Sequence, residues 1–378
     1  MNKKFLTVAI SAALAGPTAA LADVTVYGQL HMSIDYTDSK TKAGAGSSAR
    51  KTNLGISSNA SRIGFKGNED IGSGMKAVWQ IESLVNMDGG TGGLGGSGTT
   101  LATRNTYLGL AGGFGTFLMG RHDTPFKMLG RSLDPFIDTI ADNRQLLATD
   151  FGELRPSNVI AYITPSFSGF SAVLAYVTGL NNSPYTDNFA NAGIGGADNN
   201  KATAFSMNAT YKNGPIYAGL AYEKHNLINT VAAPNDPSAW RLGGSYTFGP
   251  ATVGGMWEQL SDVDSKDMER TAGTLFGTYT FGMETVKLAY TQAGKWKTGG
   301  NDLKNSDASL WSLGVDHKFS KRTTAYAQYT GLNNEKAADY ALGGGTGLPS
   351  GGGGYGDPVQ PSLGKDPNAF SVGLIHKF

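Results

Sequence analysis

The feature that most constrains the fold of this chain is an alternation of apolar and polar residues that recurs from residue 24 to the C-terminus. Side chains that repeat at every second residue lie on one face of an extended strand, whereas a helix would scatter them around its circumference. The sequence therefore predicts β-strands, each with one apolar and one polar face. In the first run the apolar positions are Val24, Val26, Leu30, Met32, Ile34 and Tyr36.

Sixteen alternating runs follow one another, and the connections between them alternate in length. Short turns such as 212–215 and 281–283 alternate with long polar stretches such as 122–156. Up-and-down membrane barrels have short turns on the periplasmic side and longer loops outside, and strands of about 9 to 11 residues cross the bilayer. The runs begin near residues 24, 54, 73, 103, 115, 157, 168, 201, 215, 239, 250, 269, 284, 308, 322 and 368.

A soluble β-sandwich is the alternative to a membrane barrel, because its strands also alternate. The apolar face of a sandwich packs inward, however, and its connections need not alternate so regularly in length. A sheet that spans a membrane must close on itself, since lipid leaves an open edge unpaired. The pattern favours an all-β, 16-stranded antiparallel transmembrane β-barrel. Aromatic residues near strand ends suit interfacial girdles: Tyr36, Tyr211, Tyr246, Phe248, Phe281, Phe319 and Phe378.

The N-terminus has the organisation of a secretory signal peptide. Two lysines precede an apolar run from Phe5 to Ala15, and Ala20-Leu21-Ala22 offers small residues for cleavage. The alternative, an N-terminal anchor helix, is disfavoured because the run is too short to cross a bilayer. The sequence therefore predicts a signal peptide at residues 1–22, export, and a mature barrel at residues 23–378.

Composition excludes several function classes. Removal of the two signal lysines changes the formal charge from +1 to −1, because 31 basic residues become 29 against 30 acidic ones. Nothing resembles the basic footprint of a nucleic-acid-binding protein. The chain has no cysteine, and its five histidines are dispersed without metal-ligand spacing. We therefore expect no nucleic-acid partner, no cofactor and no metal site.

Two short motifs resemble ligand-binding loops but have simpler interpretations. Residues 72–77 fit a loose G-x-G-x-x-A dinucleotide pattern, yet alternating residues follow them instead of a helix, so we predict a hairpin turn. Asp262, Asp264 and Asp267 suggest a calcium loop, but Asp267 occupies the position of the turn glycine. We predict ordinary surface charge there.

An ordered set of motifs along the whole mature chain is similar to the general porins of Gram-negative bacteria, most closely the branch found in Neisseria and other β-proteobacteria. Any one of these pieces would be weak evidence, and their order carries the resemblance. The chain also ends in phenylalanine, which resembles the signal that outer-membrane assembly machinery reads. The motifs include Val26-Tyr27-Gly28-Gln29-Leu30, Ser61-Arg62-Ile63-Gly64-Phe65-Lys66-Gly67, Glu69-Asp70-Ile71-Gly72, Gln80-Ile81-Glu82-Ser83, Phe114-Gly115-Thr116, Gly120-Arg121 and Pro165-Ser166-Phe167.

The resemblance implies a water-filled channel in the outer membrane for passive diffusion of ions and small hydrophilic solutes. It also implies a homotrimer in contact with outer-membrane lipid, and a third long loop that folds into the lumen. Residues 122–156 match that loop in position and length, and a free loop of this length would be unusual without a role. We expect Asp134-Pro135-Phe136 and Phe151 to hold it against the wall.

A channel needs a constriction whose charges bias ion entry. The resemblance places Arg62, Arg104 and Arg121 on strands as basic wall residues, with Lys66 and Lys76 as weaker candidates. Opposite them we expect an acidic side, so that a transverse field orients passing solutes and gives a modest anion preference. The acidic candidates are Glu82 on a strand and, in the loop, Asp134, Asp138, Asp142, Asp150 and Glu153.

Two observations leave alternatives for the charges of the constriction. Each arginine could instead be a solvated lumen charge, paired locally and without effect on selectivity. In addition, Ala161 and Ile163 stand where relatives often carry an arginine and an acidic residue. Arg144 or Arg155 could supply that charge from the loop.

The alternative function is an outer-membrane barrel enzyme, either a protease or a phospholipase. Such an enzyme needs an acid, a base and a nucleophile that converge at one rim. His122 and Asp123 are the nearest candidates, but no serine motif accompanies them. Barrel enzymes also tend to be smaller, because sixteen strands leave an aqueous lumen. A soluble glycine-rich adhesin is a third alternative, which predicts extraction without detergent.

Overall fold

The computed structural model describes residues 23–41, 51–89, 94, 101–147, 153–180, 202–226, 236–263, 265–343 and 363–378. The signal segment 1–22 lies outside these ranges, as do Asp150, Phe151 and Asp264. All structural statements below concern the described residues.

The described chain forms one antiparallel sheet of nineteen strands. β2 and β3 are two parts of one barrel strand, since both pair with β1, and β15 with β16 forms a small hairpin in a loop. Sixteen barrel strands remain, and each starts within three residues of its predicted position. The strands are β1 Asp23–Thr41, β2 Lys51–Ser58, β3 Arg62–Gly72, β4 Met75–Leu84, β5 Thr106–Gly112, β6 Gly115–Arg121, β7 Val159–Ile163, β8 Phe170–Val177, β9 Thr203–Asn213, β10 Ile216–Asn226, β11 Ser238–Phe248, β12 Ala251–Ser261, β13 Met268–Phe281, β14 Glu284–Ala293, β15 Lys297–Thr298, β16 Asn301–Asp302, β17 Ala308–Lys318, β18 Thr323–Asn334 and β19 Lys365–Lys377.

The sheet closes because the first and last strands pair. The register of β1 with β19 runs from Gln29 opposite Lys377 to Thr41 opposite Lys365. At the end of this seam, Gly28 N–H donates to Phe378 O at 3.0 Å, and Phe378 N–H donates to Gly28 O at 3.1 Å. The predicted 16-stranded antiparallel barrel is confirmed.

The two faces of the barrel wall match the sequence alternation. Apolar side chains point outward and are exposed, for example Val24 at 55%, Leu220 at 42% and Tyr246 at 49%. The alternate positions point into the barrel, where His31 and Asp35 are buried. An apolar exterior around a polar interior is the arrangement of a barrel surrounded by lipid.

The first hairpin turn joins β3 to β4 through Ser73 and Gly74. Gly72, Ser73 and Gly74 all have positive φ, at +87°, +54° and +72°. Consecutive left-handed residues are typical of tight hairpin turns, which explains the glycines at this site. The hairpin predicted for residues 72–77 is therefore confirmed.

The one α-helix among the described residues, α1 (Pro125–Ser132), lies in the segment between β6 and β7. Thr124 caps it, since its hydroxyl accepts from the N–H of Lys127 at 3.3 Å, and Pro125 occupies the first turn. A 3₁₀ helix at Asn143–Gln145 follows. Within the described ranges we find no helix with the length and apolar character needed to cross a bilayer.

Candidate pore constriction

The first half of segment 122–147 packs against side chains that point into the barrel. Leu129 and Leu133 of this segment share an apolar cluster with Ala221 on β10. Two wall glycines make room for them, because a Cβ at Gly219 would overlap Leu129 and a Cβ at Gly243 would lie 2.5 Å from Leu133 Cδ1. The absence of a side chain at these two wall positions lets α1 approach the sheet closely.

The second half of the segment continues along the same inner surface. A Cβ at Gly314 on β17 would lie only 2.9 Å from Phe136 Cε1, so Phe136 lies directly on the wall. Ile140 and Leu146 pack with apolar side chains of β17 and β18, among them Leu310 and Leu332.

Polar contacts join α1 to β9. Asn208 Nδ2 donates to Pro125 O at 2.8 Å, and the N–H of Phe126 donates to Ser206 Oγ at 3.1 Å. Both wall side chains are buried, so these hydrogen bonds satisfy groups that have lost their water. The segment is thus fixed by directional contacts as well as by apolar packing.

Arg62, Arg104 and Glu82 form one group on the wall of β3 and β4. Arg104 Nε lies 2.6 Å from Glu82 Oε1, and Arg62 Nε lies 4.0 Å from Glu82 Oε2. Glu82 also accepts from Tyr27 Oη at 3.0 Å. Glu82 therefore lies beside the two arginines, and the prediction that it lies across the lumen from them is wrong. Arg104 precedes β5 by two residues and is not on a strand, contrary to the prediction.

The loop carboxylates form a second group, which reaches the first through Arg62. Asp138 Oδ2 lies 3.5 Å from Arg62 Nη1, and the other Asp138 oxygen is paired with Arg131. Asp142 binds Arg131 Nη1 at 2.7 Å and Arg144 Nε at 3.0 Å. Burial disfavours ionisation of Asp142, but Arg144 and Arg131 outweigh it and hold its pKa below the usual range.

Asp134 has a different environment from the other predicted loop acids. Its two oxygens accept backbone N–H groups, from Phe136 at 2.8 Å and from Asn143 at 3.0 Å. Burial, reinforced by the nearby Asp142 carboxylate, raises the pKa of Asp134 to about 7. Asp134 therefore holds the turn of the loop together, and no ion pair joins its carboxylate to a predicted wall arginine in the described structure.

A third group lies where the loop leaves β6. Arg155 Nε lies 3.0 Å from Asp123 Oδ1 and 2.9 Å from Asn105 Oδ1, and Lys127 Nζ lies 3.0 Å from Asp123 Oδ1. Burial disfavours the charge of Asp123, but Arg155 and Lys127 outweigh it and hold its pKa well below the usual range. Burial lowers the pKa of Lys127 to about 8. Arg121 joins this group by donating to Arg155 O at 3.4 Å.

The pair considered for an enzyme does not form a catalytic dyad. His122 Nδ1 lies 2.8 Å from the backbone oxygen of Asp123, whereas the Asp123 carboxylate binds Lys127 and Arg155. A carboxylate that is already bound by two cations cannot orient the imidazole as a general base.

The weaker basic candidates lie apart from the loop. Lys66 shares the lumen-facing parity of Arg62 on β3, and its Nζ lies 5.1 Å from the centre of the Tyr27 ring. Lys76 is exposed beside the first hairpin turn, opposite Asp70 in the register.

Sequence reasoning missed several charged residues in the loop and in the wall behind it. Arg131, in the last turn of α1, binds both Asp138 and Asp142. The sequence feature that could have identified it is its position four residues after Lys127. Arg241, Glu258 and Arg270 of the wall were also missed. They lie on three different strands, and no local motif connects them to the loop.

Comparison with known proteins identifies the family. A model of the Gram-negative porin family matches residues 7–337. The major outer membrane protein P.IB of Neisseria sicca is 31% identical over 360 residues, which cover 89% of this chain and 96% of that protein. The chain belongs to the Gram-negative porin family. The major outer membrane protein P.IA of Neisseria meningitidis serogroup A is another relative of this porin, 27% identical with 100% of both chains covered.

Solved structures agree with the fold of this porin. The anion-selective porin from Comamonas acidovorans aligns with a TM-score of 0.70 at 26% identity, covering 94% of this chain and 100% of that one. In-vitro folded OmpT of Vibrio cholerae aligns with a TM-score of 0.65 at 16% identity, covering 94% and 98%, and shows the fold alone. The resemblance inferred from the sequence is confirmed: the protein is an outer-membrane porin, a channel and not an enzyme.

Proposed function

We propose that segment 122–156 and the facing wall form the constriction of this porin, and that the constriction passes small anions in preference to cations. The observation that carries the proposal is that Arg62 and Arg131 are each more exposed than the carboxylates they pair with. The Arg62 side chain is 24% exposed and Glu82 is 9% exposed. The Arg131 side chain is 16% exposed, whereas Asp142 is fully buried at 0%.

This difference decides which charge a passing ion meets. A buried carboxylate holds its arginine in place, and the exposed edge of the guanidinium faces the water. Charged side chains that line a narrow, water-filled passage select ions of the opposite sign, and low-dielectric walls concentrate their field. Anion preference also agrees with the similarity of this chain to the anion-selective porin from Comamonas acidovorans.

The competing interpretation is that each arginine is neutralised by its local partner and has no effect on selectivity. Arg62→Gln separates the two, because it removes an exposed positive charge and keeps a polar side chain of similar length. We expect the zero-current potential in a planar bilayer under a salt gradient to shift toward cations. Lys76→Gln is the matched control, since Lys76 is exposed at the hairpin turn away from the loop. Equal zero-current potentials for the two variants would show that Arg62 does not contribute to the ion preference.

We further propose that residues 1–22 are removed on export and that the mature porin is a homotrimer. The small residues at Ala20-Leu21-Ala22 support the cleavage site, and family membership supports the trimer. Intact-mass measurement of protein from outer membranes should give a chain that starts at Asp23. Light scattering of the detergent-solubilised protein should give the mass of three chains, and a single-chain mass would contradict the trimer.

A further inference from the structure

A buried group of three charged side chains lies on β11, β12 and β13, behind segment 122–147. Arg241 and Arg270 are each 1% exposed and Glu258 is 0% exposed. Glu258 Oε2 accepts from Arg241 Nε at 3.1 Å and from Arg241 Nη2 at 2.6 Å, and Glu258 Oε1 lies 3.9 Å from Arg270 Nη2. We call Arg241, Glu258 and Arg270 the Glu258 clamp.

Each arginine of the Glu258 clamp also binds one end of the loop. Arg241 Nη1 donates to Phe126 O at 3.0 Å, in the first turn of α1. Arg270 Nη2 donates to Leu146 O at 2.7 Å, at the end of the 3₁₀ helix. The two carbonyls are twenty residues apart in the chain, yet their donors share one carboxylate. Two points of the loop, at Phe126 and Leu146, are therefore tied to the same wall charge.

Aromatic rings complete the surroundings of the two guanidiniums. Arg241 Cζ lies 4.1 Å from the centre of the Phe126 ring, and Arg270 Cζ lies 4.8 Å from the centre of the Trp296 ring. Arginine suits this role because its planar fork can bind a carboxylate and a carbonyl and can stack on a ring at the same time. A lysine would provide one point charge and could not join all three partners.

We propose that the Glu258 clamp is the positioning device of the constriction, and that Glu258 sets the place of the loop although it lies behind it. The proposal rests on the constriction role proposed for segment 122–156. Loss of one partner from a buried ion pair leaves an uncompensated charge in a dry site, which is far more costly than loss of an exposed pair. Removal of the Glu258 charge takes a carboxylate partner from both arginines, and Arg241 keeps only the longer pair with Glu153 Oε1 at 3.6 Å, so the donors to Phe126 O and Leu146 O lose their fixed orientation.

Glu258→Gln tests the proposal, because glutamine keeps the shape of the side chain and removes its charge. The first readout is tryptic cleavage after Arg131 and Arg144 in detergent micelles, since both sites lie between the two clamped ends. We expect cleavage roughly a hundredfold faster than in the wild type, because local opening controls access of the protease. The second readout is single-channel current, in which a loosened loop produces frequent brief closures and a smaller anion preference.

Glu223→Gln is the matched control for this experiment. Glu223 is buried at 0% on the neighbouring strand β10 and pairs with His225 at 2.9 Å. The substitution removes the same charge from the same inner face, so the control shows what loss of a buried carboxylate does by itself. Cleavage and current noise that increase equally in both variants would overturn the proposal.

A cross-link separates loss of position from general damage to the barrel. Leu129→Cys with Gly219→Cys places two thiols where α1 touches the wall, in a chain with no other cysteine. Oxidation of this pair in the Glu258→Gln background should restore protease resistance and a current without frequent brief closures. If neither recovers, the positioning role of Glu258 is wrong. If trypsin cuts the loop and conductance and ion preference stay unchanged, the constriction role proposed for the loop is refuted. The rate of cleavage would still test the Glu258 clamp.

Discussion

Replacement of Leu129 by alanine should release α1 from the inner wall without disturbing the barrel strands. Leu129 is 1% exposed, and it lies on Gly219, which has no side chain to fill a void. Leucine-to-alanine changes at sites that cannot collapse cost about 3 to 5 kcal/mol. If that cost falls on loop docking alone, the undocked fraction rises by a factor of about 100 to 4,000.

Hydrogen exchange of the peptide that contains α1, followed by mass spectrometry, measures this docking directly. Protected amides such as Met128 N–H, which donates to Thr124 O at 3.0 Å, should exchange faster by the same factor. Leu220→Ala is the control, because Leu220 is adjacent to Gly219 in sequence but points outward and is 42% exposed. If Leu129→Ala exchanges no faster in α1 than Leu220→Ala does, the loop is not held by this packing and the reasoning fails.

Three further predictions concern pH, backbone strain and salt. Burial raises the pKa of Asp134 from 3.8 to about 7, so the contribution of Asp134 to loop docking should be fully present below pH 3.8 and should be lost as pH rises through 7; a spin label at Ser132→Cys should become more mobile over that range, and Asp134→Asn should abolish the trend. Gly74→Val should lower the free energy of unfolding by roughly 1 to 3 kcal/mol because of strain at φ +72°, measured as a lower urea midpoint, whereas Gly113→Val, where a Cβ also meets open space but φ is not positive, should not. The anion preference should decline in 1 M salt, where the Debye length is about 3 Å, and an unchanged preference would argue against an electrostatic filter.

The barrel could be predicted from the sequence because its signal is local. Each strand carries its own apolar parity, and most short turns carry a glycine or proline, so strand starts such as those of β6, β14 and β17 agree with the prediction to the residue. Closure followed from the need to pair every strand edge in lipid. No long-range contact had to be known for this part of the fold.

The constriction could not be predicted in the same way, because it depends on register and on packing across the lumen. The register of β3 with β4 shifts between Asp70 and Gly72, and the shifted register places Glu82 opposite Gly64. Without that irregularity Glu82 would pair with Phe65, whose side chain points outward. Glu82 would then point outward as well, because a shift of one residue exchanges the two faces of a strand. The sequence identified Glu82 and Arg62 as charged candidates, but only the structure shows them side by side.

The decisive measurement for an anion-preferring channel is a recording of the wild-type porin in a planar lipid bilayer with a salt gradient across it. We expect stepwise current increments, and a zero-current potential of the sign that marks anions as the more permeant ions. Stable insertion without conductance, or a potential of the cation-selective sign, would contradict this expectation.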